Sequence, residues 1–311
     1  MNNIFKIIFS TSFGYAILRV TTPILFSGLG AVISDKAGVI NIALEGTMLT
    51  SALTGVIVSA LTQSTFFGVI AAILSGIFVS LLLSYFSLNL KTDIVLTGIA
   101  INLLASGGTI FILYLVAHDK GISTSLNSKV IPNVTIPLLN KIPILGPILS
   151  GHNILTYLSW ISVAIVYILL YKTPLGVRIR AVGENPEAAE SVGINVNKIR
   201  YIALCISCIL ASFGGAYMSM GYVSWFSTNM TSGRGFIALA AEAMGKGNPV
   251  GTLLTSLLFG FAGALSNNLQ SLRIPSEFVQ MIPYLATIVG LVIYSIRKTN
   301  MLKYKKEVQN A

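Results

Sequence analysis

PLGVRIRAVGENPEAAESVGINV, residues 174 to 196, is the longest ordered polar interruption in a chain otherwise composed to dissolve in lipid. Asn185 is a favoured helix N-cap, Pro186 is tolerated at the first helical position, and Glu187 complements the positive end of the helix dipole. Ala188, Ala189 and Glu190 propagate the turn, and Gly193 stands where a left-handed C-terminal residue would sit. The pattern predicts a two-turn helix, entered from a Pro174-Leu175-Gly176 turn and displayed between two membrane spans. A short helix capped at both ends and presented in this way is a docking knob for a soluble partner.

Working outward, hydrophobic residues make up 54% of the 311 and charged residues only 10%, which excludes an ordinary soluble domain. Eight apolar stretches follow one another: 12–33, 38–61, 66–90, 94–117, 154–171, 202–223, 236–265 and 278–296. Each is of the order of the roughly 20 residues that a spanning helix needs, and their apolar runs are continuous rather than alternating, which favours helices over a barrel. An all-α membrane protein of about eight spans is predicted. With no linker or low-complexity tract, residues 1–311 read as a single membrane domain. No cleavable signal pattern surrounds Lys6 and Arg19, so the first span itself serves for targeting.

The net charge of +10 is arranged by position. Lys172, Arg178, Arg180, Lys198 and Arg200 flank or enter the capped loop (about 172–200), and Arg297, Lys298, Lys303, Lys305 and Lys306 crowd the tail. The long loop at about 118–153 carries only Lys120, Lys129 and Lys141. By the positive-inside rule the capped loop and the C-terminus are cytoplasmic and the long loop external. Counting helices backwards puts the N-terminus outside, whereas Lys6 and Arg19 favour inside. The excess charge suits anionic membrane lipid. No basic face with interleaved aromatics exists, so no nucleic-acid partner is expected. Cys205 and Cys208 fall on one face of a span, where core packing is their expected role.

Two places break the apolar pattern within the bilayer. The first is Ser34-Asp35-Lys36-Ala37-Gly38, followed by Val39-Ile40-Asn41-Ile42-Ala43-Leu44-Glu45-Gly46. The second is Phe236-Ile237-Ala238-Leu239-Ala240-Ala241-Glu242-Ala243-Met244, followed by Gly245-Lys246-Gly247-Asn248-Pro249. Paired breaks in two halves of a chain point to inverted repeats and a midplane pathway. The stretch 236–265 is too long for one simple helix and predicts a re-entrant half-helix followed by a full return helix.

Catalysis has little to work with. His118 and His152 lie in or beside the long loop, and no nucleophile–base, paired-carboxylate or metal-binding arrangement is visible. Gly245-Lys246-Gly247 lacks the upstream glycine and the Ser/Thr of a phosphate loop. No catalytic residue, metal or cofactor is therefore expected, and the chain hydrolyses no nucleotide by itself. The costly residues are Glu45 and Glu242, carboxyl groups at membrane depth that need pairing, protonation or water. Each either lines a polar pathway or caps a half-helix or bonds a neighbouring span. Asn41 and Asn248 could present amides to a solute or bond between helices. Gly28–Gly30 and Gly214-Gly215-Ala216 read as close-packing sites, and Asn102, Asn267 and Asn268 carry less weight.

Gly183-Glu184-Asn185-Pro186-Glu187-Ala188-Ala189-Glu190-Ser191-Val192-Gly193-Ile194 resembles the cytoplasmic coupling segment of ATP-binding-cassette (ABC) importer permeases, in the family shared by branched-chain amino acid, ribose-type sugar and nucleoside permeases. Residues 38–46, 198–217 and 245–251 are similar to that family as well, so the resemblance runs from about Gly28 to Gly290. Asn41-Ile42-Ala43-Leu44-Glu45-Gly46 looks more like the sugar and nucleoside branch, nearest the nucleoside importers. The resemblance implies a permease in a bacterial inner membrane that pairs with a second permease, the same chain or a paralogue. It also implies a separate ABC ATPase and an external substrate-binding protein or lipoprotein. Carried over, Glu184, Asn185, Pro186, Glu187, Ala188, Ala189, Glu190 and Gly193 would contact the ATPase, and Asn41, Glu45, Glu242 and Asn248 would line the pathway. Lys246 departs from the small or apolar residue expected in its break, leaving solute-facing and hinge roles both open. Sugar and branched-chain amino acid permeases are the alternatives within the family. An ion-coupled secondary transporter, with Glu45 or Glu242 as ion site, is the alternative outside it.

Overall fold

In the computed structural model, the described residues are 10–119, 121–137 and 145–269, together with Leu285, Ile288, Val289, Gly290 and Val292. The spanning helices are α1 (Thr11–Lys36), α2 (Leu44–Thr62), α3 (Thr65–Ser84, continued by a π turn, Tyr85–Asn89) and α4 (Ile94–Ala117). A short α5 (Leu145–Leu149) precedes α6 (Ile154–Lys172), and α7 (Pro174–Glu184) and α8 (Pro186–Ser191) form the knob. The chain continues with α9 (Val196–Tyr217, with a π turn, Met218–Tyr222), α10 (Arg234–Met244) and α11 (Pro249–Leu269). Two short strands, β1 (Asn133–Val134) and β2 (His152–Asn153), pair antiparallel across the long loop. Seven of the described helices are long and apolar enough to cross a membrane.

These helices match the apolar stretches with two refinements. The stretch 38–61 begins with six non-helical residues before α2, and 236–265 is divided into the half-length α10 and the full-length α11. The expected eighth span, 278–296, and the charged tail lie almost wholly outside the described residues.

The centre of the bundle is α1, packed against α9, α11, α10 and α6. It is buried nearly all round from Val20 to Ser34, which an amphipathic surface helix would not be. Small residues make this possible, because helices in lipid associate through close packing. A Cβ at Gly30 would sit 2.6 Å from Ser207 O, and one at Gly215 would overlap Met48 O. By contrast α3 and α4 turn Phe67, Phe78, Leu103 and Phe111 outward, as lipid-facing helices do.

The two ends of the bundle are distinguished by what they touch. At one end Tyr15 OH donates to Gly151 O (3.0 Å) and the Tyr15 ring stacks on His152 with centroids 4.0 Å apart. Lys129 N donates to Ser59 Oγ at the same end (3.0 Å). Burial pushes the His152 imidazole below its ordinary pKa, and its Nε2 meets Ile148 O at 2.7 Å. At the opposite end Tyr201 OH donates to Asn89 Oδ1 (2.7 Å), and Lys36 abuts Gly183 of the knob. The start of α1 therefore shares a face with the long loop, opposite the knob. Arg19, which as a topological signal pointed the other way, is bonded instead: its guanidinium donates to Tyr222 O and lies 4.1 Å above the Tyr222 ring.

This arrangement predicts a labelling pattern. Cysteines placed at Ser12 and Ser125 should react with an impermeant thiol reagent from the same side, and one at Ser191 only from the other. Native Cys208 is buried and Cys205 half-buried, so both should give little background. Labelling of Ser12→Cys and Ser191→Cys from one common side would contradict the arrangement.

Candidate functional site: the knob and the two breaks

The knob is two helices rather than a turn followed by one. Thr173 caps α7, its Oγ1 accepting from Gly176 N (3.1 Å), with Pro174 in the first helical position, so Pro-Leu-Gly starts a helix. A single extended residue, Asn185, then redirects the chain, and its Oδ1 accepts from Ala188 N (3.0 Å) to start α8. At the far end Gly193 takes φ +85°, Ile194 N donates to Ala189 O (3.0 Å) and Gly193 N to Glu190 O (2.9 Å). This is the double-bonded left-handed cap that the sequence predicts. Ala189 is buried and anchors α8, while Glu184, Glu187, Ala188, Glu190, Ser191 and Val192 are exposed. The knob thus presents three carboxylates around an open Val192.

The first break starts where α1 ends. Val39 N donates to Ser34 O (3.0 Å) and Gly38 N to Asp35 O (2.8 Å), with Gly38 at φ +72°. The chain then re-enters the bundle in irregular conformation, which lipid would not tolerate unless its polar groups are satisfied by protein. Asn41 does this. Its Nδ2 donates to Ser207 Oγ (2.9 Å) and Cys208 Sγ (3.3 Å), and its Oδ1 accepts from Ala43 N (3.1 Å). Asn102 on α4 completes the brace, accepting from Gly46 N (2.7 Å) and donating to Ile42 O (2.9 Å).

Glu45, in the first turn of α2, reaches across to the second break. Its Oε1 accepts from Gly233 N (2.8 Å) and its Oε2 from Gly235 N (2.7 Å). A carboxylate bonded to the free N–H groups at a helix start satisfies orphan donors and complements the helix dipole. It is the cap of α10, whose 11 residues extend about 16 Å at 1.5 Å per residue, roughly half a bilayer core. Asn248 is likewise a cap, its Oδ1 accepting from Val250 N (2.9 Å) at the start of α11.

Glu242 is placed differently. It is largely buried in the last turn of α10 and faces a cavity of about 670 Å³ bounded by Ser34, Asp35, Ile40, Asn41, Leu239 and Lys246. The side chains of Glu45 and Asn248 are bonded within the protein away from this cavity; Asn41 is bonded too but lines it, and Glu242, Asp35 and Lys246 add its charged groups. The two Ile-Ala-Leu runs also differ in setting: Ile42-Ala43-Leu44 follows its turn and opens α2, whereas Ile237-Ala238-Leu239 precedes its turn inside α10. Sequence reasoning gave Asn102 little weight because its partners lie 56 and 60 residues away. Asp35 was visible only as part of the polar break.

A multi-pass membrane protein with helices broken at membrane depth has the architecture of a transporter. The chain belongs to the family described as the branched-chain amino acid transport system / permease component, whose profile matches residues 15–292. It is 36% identical over 286 residues to the nucleoside ABC transporter permease protein NupC of Lactococcus lactis subsp. cremoris, covering 88% of this chain and 89% of that protein. It is 37% identical over 289 residues to the guanosine ABC transporter permease protein NupQ of Bacillus subtilis, covering 89% of each. Among solved structures it resembles an ABC transporter described as of metal-chelate type in an inward-facing conformation. There the TM-score is 0.52 at 16% identity, over 93% of this chain and 88% of that one, a likeness of fold. The chain is thus the transport subunit of an ABC transporter.

The two glutamates should respond differently to substitution. Glu45→Leu strands two N–H groups, at a cost of about 1–3 kcal/mol for each, and should lower thermal stability in detergent clearly. Glu45→Gln keeps one acceptor and should fall between. Glu242→Gln should leave stability near wild type and reduce transport or alter its solute preference. Equal thermal stability of Glu45→Leu and wild type would refute the cap.

Proposed function

We propose that this chain is the permease subunit through which nucleosides are imported across a bacterial inner membrane. The observation that carries the reading is 36–37% identity, over nearly nine-tenths of the chain, to permeases named for nucleosides and guanosine. The cavity at the second break suits such a solute. Its volume of about 670 Å³ lies within the roughly 300–1,000 Å³ of small-molecule pockets. Glu242 and Asp35 can accept from ribose hydroxyls and base N–H groups, and Ile40 and Leu239 offer apolar walls to a base. In this reading Glu242 and Asn41 line the pathway, while Glu45 and Asn248 position the segments around it.

The knob is the ATPase contact. Glu184, Asn185, Pro186, Glu187, Ala188, Ala189, Glu190 and Gly193 shape it, and the basic residues around it and in the tail support a cytoplasmic side for both. A separate ABC ATPase grips this face, a second permease (the same chain or a paralogue) completes the pathway, and an external binding protein or lipoprotein delivers solute at the long loop. Residues 1–311 form one membrane domain, with lipid against α3 and α4. An ion-coupled secondary transporter would have no use for a rigid helix capped at both ends and displayed away from the bundle.

Two experiments test this reading. In the reconstituted complex, labelled guanosine should accumulate on ATP hydrolysis while ribose and leucine do not; uptake of ribose or leucine in place of guanosine would reassign the solute. Glu187→Arg and Glu190→Arg reverse charge at the proposed interface, which costs more than losing a contact. Insertion should survive while ATPase co-purification and uptake fall. Normal ATPase recovery with normal uptake in both variants would remove the knob from this role.

A further inference from the structure

The turn that ends α1 lies between the knob and the second break, and it touches both. Gly183, near the end of α7, has no room for a side chain: a Cβ there would overlap Lys36 O and lie 2.8 Å from Lys36 C. From the other side of this contact, a Cβ at Gly38 would meet Gly183 Cα at 3.2 Å, and Arg200 Nε approaches Ala37 O at 3.5 Å. Across the turn, a Cβ at Gly247 would lie 2.8 Å from Lys36 Nζ and 3.2 Å from Asp35 Oδ2. Knob, turn and second break therefore meet with backbone against backbone on one side and with a charged pair against a glycine on the other.

Space lies on both flanks of this turn. The cavity holding Glu242 is bounded by Asp35 and Ile40, and a second cavity of about 690 Å³ is bounded by Asp35, Lys36, Tyr171, Arg180, Gly183 and Glu184. Asp35 faces both. The turn separates the two voids, rigid in its own cap (Val39 N to Ser34 O and Gly38 N to Asp35 O), with Ala37 and Val39 rooted in the core and Ile40 exposed at the cavity.

We propose that residues 35–40 form the transmission element of the permease, pushed by the knob at Gly183 and moving as a wall into or out of the Glu242 cavity. The inference rests on the reading of 184–193 as the ATPase contact. Motion of the knob cannot be absorbed at Gly183, because no compressible side chain lies between the two backbones. It passes to Lys36 and Gly38, changes the cavity bounded by Ile40 and Glu242, and through the Lys36–Gly247 contact reaches the α10–α11 turn. Glu45 holds the other end of α10, so the displacement is expressed at the Glu242 end.

Gly183→Ala tests the contact and Gly107→Ala serves as its control, since Gly107 is exposed on α4 with nothing within 4 Å of its Cβ position. In the assembled complex, Gly183→Ala should retain the ATPase while uptake falls by about tenfold or more, and hydrolysis should lose its stimulation by solute-loaded binding protein. Gly107→Ala should keep both. Loss of ATPase binding in Glu187→Arg or Glu190→Arg is read separately, so the docking reading and the transmission reading fail independently. A second measurement avoids any folding defect. Spin labels on cysteines at Ile40 and Ala243, both on the cavity wall, report its width without relying on uptake. Their separation should change when the complex binds ATP, and Gly183→Ala should abolish that change. An unchanged separation on ATP binding, or normal stimulation and uptake in Gly183→Ala, would overturn the proposal.

Discussion

A helix that starts inside a membrane leaves its first N–H groups with no water to accept them, and the structure depends on how that deficit is met. Here the Glu45 carboxylate accepts from Gly233 N and Gly235 N, joining residues 188 and 190 positions apart. The bond makes a charged residue tolerable at depth and makes a half-length helix possible, and it fixes α10 to α2. Asn41 and Asn102 do the corresponding work for the irregular segment before α2. Together they free the opposite end of α10, with Glu242, to face a cavity.

The membrane class and the span boundaries were legible because hydropathy over some 20 residues is a local property. The caps of α8 were legible for the same reason: Asn185, Pro186 and Gly193 act within one turn of themselves. The helix α7 was missed because Pro-Leu-Gly is an ordinary turn signal, and the Thr173 hydroxyl that converts it into a helix start precedes the motif. The division of 236–265 into a half-helix and a return helix followed from length and parity.

What sequence could not reveal was partnership across the fold. Glu45 and Glu242 look equivalent as intramembrane carboxylates beside Ile-Ala-Leu runs, yet one caps a helix and the other faces a cavity. The difference lies in residues far away in the chain, which no local pattern encodes. Arg19 illustrates the same limit, since its charge is held by the Tyr222 carbonyl and ring. Positive charge reports topology when it is free in a loop, and less so when it is bound inside a span.

Two glutamates divide the work: Glu45 holds the second break, and Glu242 is the one we propose meets solute. A structure of the assembled permease with its ATPase and bound guanosine would test that division most directly. It should show the nucleoside against Glu242, with Glu45 still bonded to Gly233 and Gly235. Nucleoside on the Glu45 carboxylate, with the start of α10 released from it, would contradict the account.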